Sequence, residues 1–339
     1  MAGNIYGLDL GTYEIKVYDE RKDEIWKEKS AIATKNQTEI FAVGDEAYAM
    51  YEKAPQNIEV LFPMQGGVIA RFYDMQNLLE NLLRKRQFFG SEYVIAIPTD
   101  ITEVEKRAFY DLVYHSSARA KSVSVVERGI ADAIGCKIDV YQTGGVMILN
   151  MGGGTMELSV LAYGGIVMNR LLKFGGEQFD QEIINLVRRN RDFLIGRKTA
   201  EQLRRTFGIF SEDTKSKMQI AGRNLILGLP QRTDISIGLV RAALKEQMDD
   251  CVDAIQTMIQ RIPPDVLREL KKNGIYLTGG MANLRGIAEY LEESVGVRVS
   301  TADYPELCSM NGLREIIQDK KRYGRLTYSM LDKGYRWLE

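Results

Sequence analysis

One histidine, His115, and three cysteines, Cys136, Cys251 and Cys308, are all that this chain of 339 residues offers to imidazole or thiolate chemistry. A single histidine argues against Ser-His-Asp and Cys-His mechanisms. No C-x-x-C pair occurs, and an odd, scattered set of cysteines reads as reduced thiols in a reducing compartment. An excess of charge is missing too. Lys and Arg total 45 against 46 Asp and Glu, so wholesale nucleic-acid binding is not expected. No run approaches the roughly 18 apolar residues of a membrane-spanning helix. The opening MAGNIYGLDLG lacks the charged-then-apolar grammar of a signal peptide. The expectation is a cytoplasmic protein whose membrane contacts, if any, are peripheral.

What is present is material for a large core. Hydrophobic residues make up 45% and charged residues 27%, an ordinary globular balance, and the length suggests two domains. An approximate internal repeat organises them. IYGLDLGTYEIKVYD (5–19) is two β-rich runs joined at a Gly-Thr turn, and VMILNMGGGTMELSVLA (146–162) has the same strand–glycine turn–strand grammar. Three consecutive glycines at 152–154 leave backbone N–H groups unshielded, and a nest of that kind favours anions. Between the hairpins, Thr102 with Glu105 forms a capping box that opens a helix. Leu244, Met248, Val252, Ile255, Ile259 and Ile262 recur at helical spacing until Pro263-Pro264, and read as core. GIYLTGG (274–280) is a short strand running into the helix ANLRGIAEYLEE. This alternation predicts an α/β fold of two domains, with a ligand cleft between them.

The chemistry lies in three glycine turns spread widely along the chain. The first carries Asp9, Gly11, Thr12 and Lys16. A carboxylate at a strand end can hold hydrated Mg²⁺ while Thr12 and backbone amides meet phosphate oxygens. The second carries Gly152, Gly153, Gly154 and Thr155. The third, Thr278-Gly279-Gly280, sits where a strand hands over to a helix N-terminus. Each alone is a weak signal, but three in this order are together a strong one for a phosphate-bearing ligand.

The order of phosphate hairpin, phosphate hairpin and adenosine turn resembles the superfamily of actin, Hsp70-type chaperones and sugar kinases. Within it the chain is similar to the MreB family of bacterial actins. Asp9-Leu10-Gly11-Thr12 stands where the family has D-L-G-T. FPMQGGVIARF (62–72), IPTDITEVEKRA (97–108), GGEQFDQEI (175–183), IGRKTAEQLR (195–204), GLP (228–230) and LTGGMANLRG (277–286) follow in register. The likeness covers roughly residues 4–318. It implies the duplicated actin-like fold with an interdomain nucleotide cleft. Domain I is expected at 1–141 plus 305–339 and domain II at 142–304. It also implies ATP or ADP with Mg²⁺, self-assembly into filaments, and a part in cell shape. An Hsp70-type chaperone would need a peptide-binding domain beyond the nucleotide domain.

Departures from the family pattern bear on catalysis. The family's catalytic glutamate precedes a proline in I-E-E-P-M-A-A-A-I-G. Here the stretch is VERGIADAIG (126–135), so Arg128 takes that place; Glu127 is a possible substitute but would point elsewhere if the segment is helical. The aspartate that opens the second phosphate hairpin is replaced by Asn150. Tyr13-Glu14-Ile15 replaces A-N-T, and Glu14 beside phosphates needs compensation, which a metal or Lys16 could supply. Met281 follows Gly279-Gly280 where the family has a third glycine. These changes predict nucleotide binding with, at most, slow ATPase activity.

From the resemblance, the nucleotide-binding set is Thr12, Tyr13, Glu14, Lys16, Gly152, Gly153, Gly154, Thr155, Glu201, Arg204, Gly279, Gly280, Met281 and Ala282, with Asp9 at the metal. Glu201 and Arg204 share a helix face at i, i+3 spacing. RKRQFFG (84–90) sits where the family carries a membrane-dipping loop. Phe88 and Phe89 there either insert into an anionic membrane or start the buried strand SEYVIAIP. RRNRDFLIGRK (188–198) reads as a solvated helix end. The expected partners are further copies of the chain, an anionic membrane and membrane-bound cell-shape proteins, with no nucleic acid. Two rival readings are a nucleotide-independent scaffold and a small-molecule kinase, the latter opposed by the loss of a carboxylate at position 128.

Overall fold

The structure is a computed structural model that describes residues 3–84, 90–116, 120–207, 210, 213 and 215–330. Phe88 and Phe89 lie outside the described residues. The chain divides into two compact units, Met1–Thr143 with Ser159–Leu171 and Leu307–Glu339, and Gly144–Leu158 with Leu172–Glu306. The division falls within the strand Met156–Ala162.

The first unit is built on a five-stranded sheet in the order Ser122–Glu127, Glu92–Ile97, Ile5–Leu10, Glu14–Asp19, Glu24–Lys29. The first three strands run parallel; Glu14–Asp19 and Glu24–Lys29 complete the sheet as antiparallel hairpins. Alternation assigns the two faces. Tyr6, Leu8 and Leu10 join Ile95, Ile97, Val123 and Val125 in one core cluster with Leu78, Leu79, Leu82 and Phe109. The latter four come from the helices Phe72–Arg84 and Glu103–Tyr114. Thr102 caps the second of these as the sequence predicts. Its hydroxyl accepts from the Glu105 N–H, and the Glu105 carboxylate accepts from the Thr102 N–H.

Gly7 and Asp9 belong to the opposite face. A Cβ at Gly7 would lie 3.2 Å from the Leu313 Cβ, so the absence of a side chain lets the helix Cys308–Gln318 lie against this strand. That helix in turn crosses Arg128–Gly135 at backbone contact. A Cβ on Gly312 would fall 1.8 Å from the Ala131 carbonyl oxygen, and one on Gly135 would fall 2.0 Å from that of Cys308. At this crossing the Cys136 and Cys308 sulfurs approach to 3.9 Å.

The second five-stranded sheet has the order Gly165–Leu172, Met156–Ala162, Val146–Met151, Ile275–Thr278, Val299–Thr301. Val146–Met151 pairs in parallel with Ile275–Thr278, and that strand with Val299–Thr301. In the second unit the helix Ile237–Arg261 buries Leu244, Met248 and Ile255 of the predicted stripe. Val252 and Ile259 are only half-buried, and Cys251 and Met258 take the core positions, so the stripe is rotated by about one residue. Burial pushes the Cys251 thiol up to about 12, which keeps it protonated and inert. Among the described residues no helix is long and apolar enough to cross a membrane.

Candidate functional site

Both predicted hairpins form, and their turns share one hydrogen bond. The Gly11 N–H donates to the Glu14 carbonyl at 3.1 Å, and the Gly152 N–H donates to the Thr155 carbonyl at 2.8 Å. The same contact explains both glycines: a Cβ would stand 2.7 Å and 2.9 Å from those two oxygens. The internal repeat is therefore structural. Its mechanism differs from the nest inferred from sequence, because none of Gly152, Gly153 and Gly154 has a positive φ. Gly152 is required by close approach and not by backbone handedness.

The chain places each turn at the carboxyl ends of parallel strands, where α/β sheets bind ligands. In the first unit those ends are Leu10, Ile97 and Glu127, and the register aligns Asp9 with Ala96 and Ala96 with Val126. In the second, Asn150 aligns with Thr278. The carbonyls of Gly152 and Gly153 accept from the N–H groups of Gly176 and Glu177, at 3.1 and 2.7 Å. They fill part of the open first turn of the helix Gly176–Arg191. The N–H groups of Gly153 and Gly154 take no backbone partner among the described residues, which leaves them as donors for an anion.

Around Asp9 the geometry departs from a metal site. Lys16 lies opposite Asp9 across the hairpin, and its Nζ donates to Oδ2 at 3.3 Å. Arg128, the first residue of its helix, donates from Nη2 to Oδ1 at 3.4 Å. All three side chains are buried, each about a tenth exposed or less. Burial by itself would raise the Asp9 carboxyl; Lys16 and Arg128 outweigh it and hold the group below the ordinary carboxylate range. Each carboxylate oxygen of Asp9 already faces a cation. Glu14 is likewise engaged, by Lys29 and by Lys27 at 3.8 Å. The compensation expected from Lys16 is present but comes mainly from Lys29, whose Nζ also sits 4.3 Å from the Tyr13 ring centre. Among the described residues no group of three or more His, Cys, Asp and Glu side chains is arranged to hold a metal. A hard divalent cation wants several uncommitted oxygens, and the donor set around Asp9 does not fit one.

Glu127 ends the strand Ser122–Glu127 and accepts from the Tyr328 hydroxyl at 3.1 Å. Tyr328 itself bridges Val125 through paired backbone hydrogen bonds. The carboxylate left next to the family's catalytic position is tied into the C-terminal segment of the fold.

Several of the residues expected on the adenosine side gather at the start of the helix Gly176–Arg191. Glu201 and Arg204 are both buried on the helix Arg197–Thr206. Arg204 makes a two-pronged ion pair with Asp180, at 2.7 and 3.1 Å, and Glu201 accepts from Arg205 at 2.8 Å. A Cβ on Gly176 would stand 3.2 Å from both the Arg204 Nη2 and the Met281 sulfur, so Arg204, Met281 and Gly176 meet at one point. Met281 and Ala282 are buried while Gly280 is exposed. The strand Ile275–Thr278 does not run directly into an α-helix. A 3-10 turn, Gly280–Asn283, intervenes, and the α-helix starts at Ile287. Gly279, at φ +83°, lies with its Cα hydrogen toward Met151, whose carbonyl oxygen a Cβ would meet at 2.5 Å.

Sequence reasoning missed Asp180, Glu177 and Arg197. Glu177 pairs with Arg197 at 2.6 Å, and burial raises both acidic groups against their cations. Their signal was GGEQFDQEI, in which Glu177 and Asp180 stand three apart at a helix start.

A family model for the MreB/Mbl protein matches residues 3–325. The cell shape-determining protein Mbl of Bacillus cereus is 32% identical over 93% of this chain and 96% of its own length. The cell shape-determining protein MreB of Escherichia coli is 31% identical over 92% of each chain. Among solved structures, MreB5 of Spiroplasma citri bound to ADP superposes with a TM-score of 0.89 at 28% identity, covering 96% of this chain and 99% of that one. The same protein bound to AMPPNP gives 0.90 at 27%. With its two glycine hairpins and its motifs in register from end to end, the chain belongs to the MreB/Mbl family and has the actin-like fold.

Proposed function

We propose that this protein is a bacterial actin-like cytoskeletal subunit that binds ATP or ADP and polymerises into filaments on the inner face of the membrane, where they help to determine cell shape. The observation that carries the reading is the shared turn: the same N–H to carbonyl bond at Gly11 and Gly152, each at the carboxyl end of parallel strands. In this reading residues 1–141 with 305–339 and residues 142–304 form two domains that hold one nucleotide. Thr12, Tyr13, Glu14 and Lys16 serve its phosphates from one side, and Gly152, Gly153, Gly154 and Thr155 from the other. Gly279, Gly280, Met281 and Ala282 line the adenosine, and Glu201 and Arg204 shape its pocket, Arg204 through Asp180. Nucleotides in the MreB5 structures support the ligand class.

Hydrolysis is slow in this account. Phosphoryl transfer to water needs a group that orients the water, and Arg128 cannot accept its proton. For assembly, Leu225, Ile226, Leu227 and Leu229 form an exposed apolar tip between the strands Lys217–Asn224 and Pro230–Ser236. An apolar surface of this kind suits contact with a second copy, and head-to-tail contacts that do not close yield filaments. The segment carrying Phe88 and Phe89 supplies the membrane contact, multiplied along a filament. Membrane-bound cell-shape proteins are the further partners.

Equilibrium titration with ATP and ADP tests the nucleotide assignment. Wild-type protein binds, with phosphate release remaining slow, and Gly153→Val abolishes binding because its side chain enters the space of the phosphate oxygens. Equal affinity in that variant refutes the phosphate-loop assignment.

A further inference from the structure

We infer that this site takes its nucleotide without a divalent metal, the Arg128 guanidinium and the Lys16 ammonium supplying the positive charge that a metal ion would bring to the phosphates. The inference rests on the nucleotide reading above and departs from the magnesium that the family resemblance implies.

Three observations carry it. Asp9, the one carboxylate at the place of the metal, has a cation on each oxygen, from Lys16 at 3.3 Å and Arg128 at 3.4 Å. A divalent ion there would have to displace both cations or lie against them, and like charges in a buried site repel strongly. Next, the second hairpin carries the neutral Asn150 where the family pattern has an aspartate, so it brings no carboxylate to a cation. Last, cations from neighbouring elements crowd this turn: Lys16 and Arg128 face Asp9, and Lys27 and Lys29 of the strand Glu24–Lys29 face Glu14, two cations to each carboxylate. A polyphosphate is the complementary anion.

The placement of Arg128 is built into the fold. Asp9 and Gly7 share the sheet face on which the helix Arg128–Gly135 and its partner Cys308–Gln318 lie. Glycine contacts at Gly312 and Gly135 hold those helices together at backbone distance. An arginine at the first residue of that helix reaches the end of Ile5–Leu10 across Glu92–Ile97, where the aligned residue is the small Ala96. A glutamate at this position would face Asp9 as a second carboxylate, and a metal would then be needed between them. Arginine removes that need, and with it the group that would orient water. Loss of metal dependence and slow hydrolysis are thus two consequences of one residue.

The test is titration of the full-length protein with ATP in excess EDTA and, separately, in excess magnesium chloride. The expected result is the same dissociation constant in both, within about threefold, a difference of under 1 kcal/mol. Binding seen only with magnesium overturns the inference and leaves the nucleotide reading intact. Binding in neither condition removes the nucleotide reading itself, and the inference falls with it. Arg128→Met adds an independent arm: binding in EDTA weakens at least about tenfold, and magnesium restores it. Unchanged binding of this variant in EDTA overturns the inference. If circular dichroism shows the variant unfolded, the wild-type pair of titrations still decides the matter.

Discussion

At the scale of single residues, the most consequential feature is charge placed where no solvent reaches it. Arg204 and Asp180 are both nearly fully buried and joined by two hydrogen bonds. Such a pair adds little net stability compared with an apolar pair of equal volume, but breaking it leaves a bare charge in the interior. Asp180→Ala is therefore expected to destabilise the protein by about 3–5 kcal/mol, while Asp180→Leu combined with Arg204→Met recovers most of that loss. Urea denaturation of the three proteins checks this, and equal stability of the single and double variants would contradict it. Under the proposed function, the ion pair also defines how Arg204 would act on a nucleotide. Its guanidinium is committed to Asp180 and lies against Gly176 and Met281, so it shapes the wall of a pocket.

Elements explain why some of this was legible in the sequence and some was not. Local features were readable: the Thr102–Glu105 capping box, the two hairpins, and the stop at Pro263-Pro264 all depend on residues within a few positions of one another. The Gly312 contact with Ala131 and the Arg128 contact with Asp9 join residues far apart in the chain, and only the register of three parallel strands and one helix crossing brings them together. Resemblance located the anomaly at position 128, but not what the arginine meets. The 3-10 turn at Gly280–Asn283 was hidden for another reason, since Met281 and Ala282 suit an α-helix equally well by propensity. The helix crossing makes its own prediction. Gly312→Ala forces the helices apart and costs about 1–3 kcal/mol by overpacking. Because Arg128 rides on the displaced helix, ATP affinity falls as well. Gly324→Ala, where a Cβ would meet nothing within 4 Å, serves as the neutral control. Denaturation midpoints and titrations that do not distinguish the two variants would contradict this account of the crossing.

For the whole molecule, the repeated hairpin and the family membership support the function proposed above, in which the two glycine turns bind nucleotide, the subunits assemble, and assembly multiplies the membrane contact. Under that proposal, inserting Phe88 and Phe89 of one subunit into lipid would be worth only a few kcal/mol at roughly 25 cal/mol per Å² of apolar surface, so firm attachment would come from many subunits along one filament. The most direct measurement is sedimentation with vesicles containing anionic lipid, with electron microscopy of the same samples. Wild-type protein given ATP forms filaments that pellet with the vesicles. Gly153→Val forms none and stays in solution, and Phe88→Ser with Phe89→Ser forms filaments that no longer pellet with lipid. Filaments of Gly153→Val as abundant as those of the wild type, or a wild-type protein that never assembles with ATP or ADP, would contradict the account at its centre.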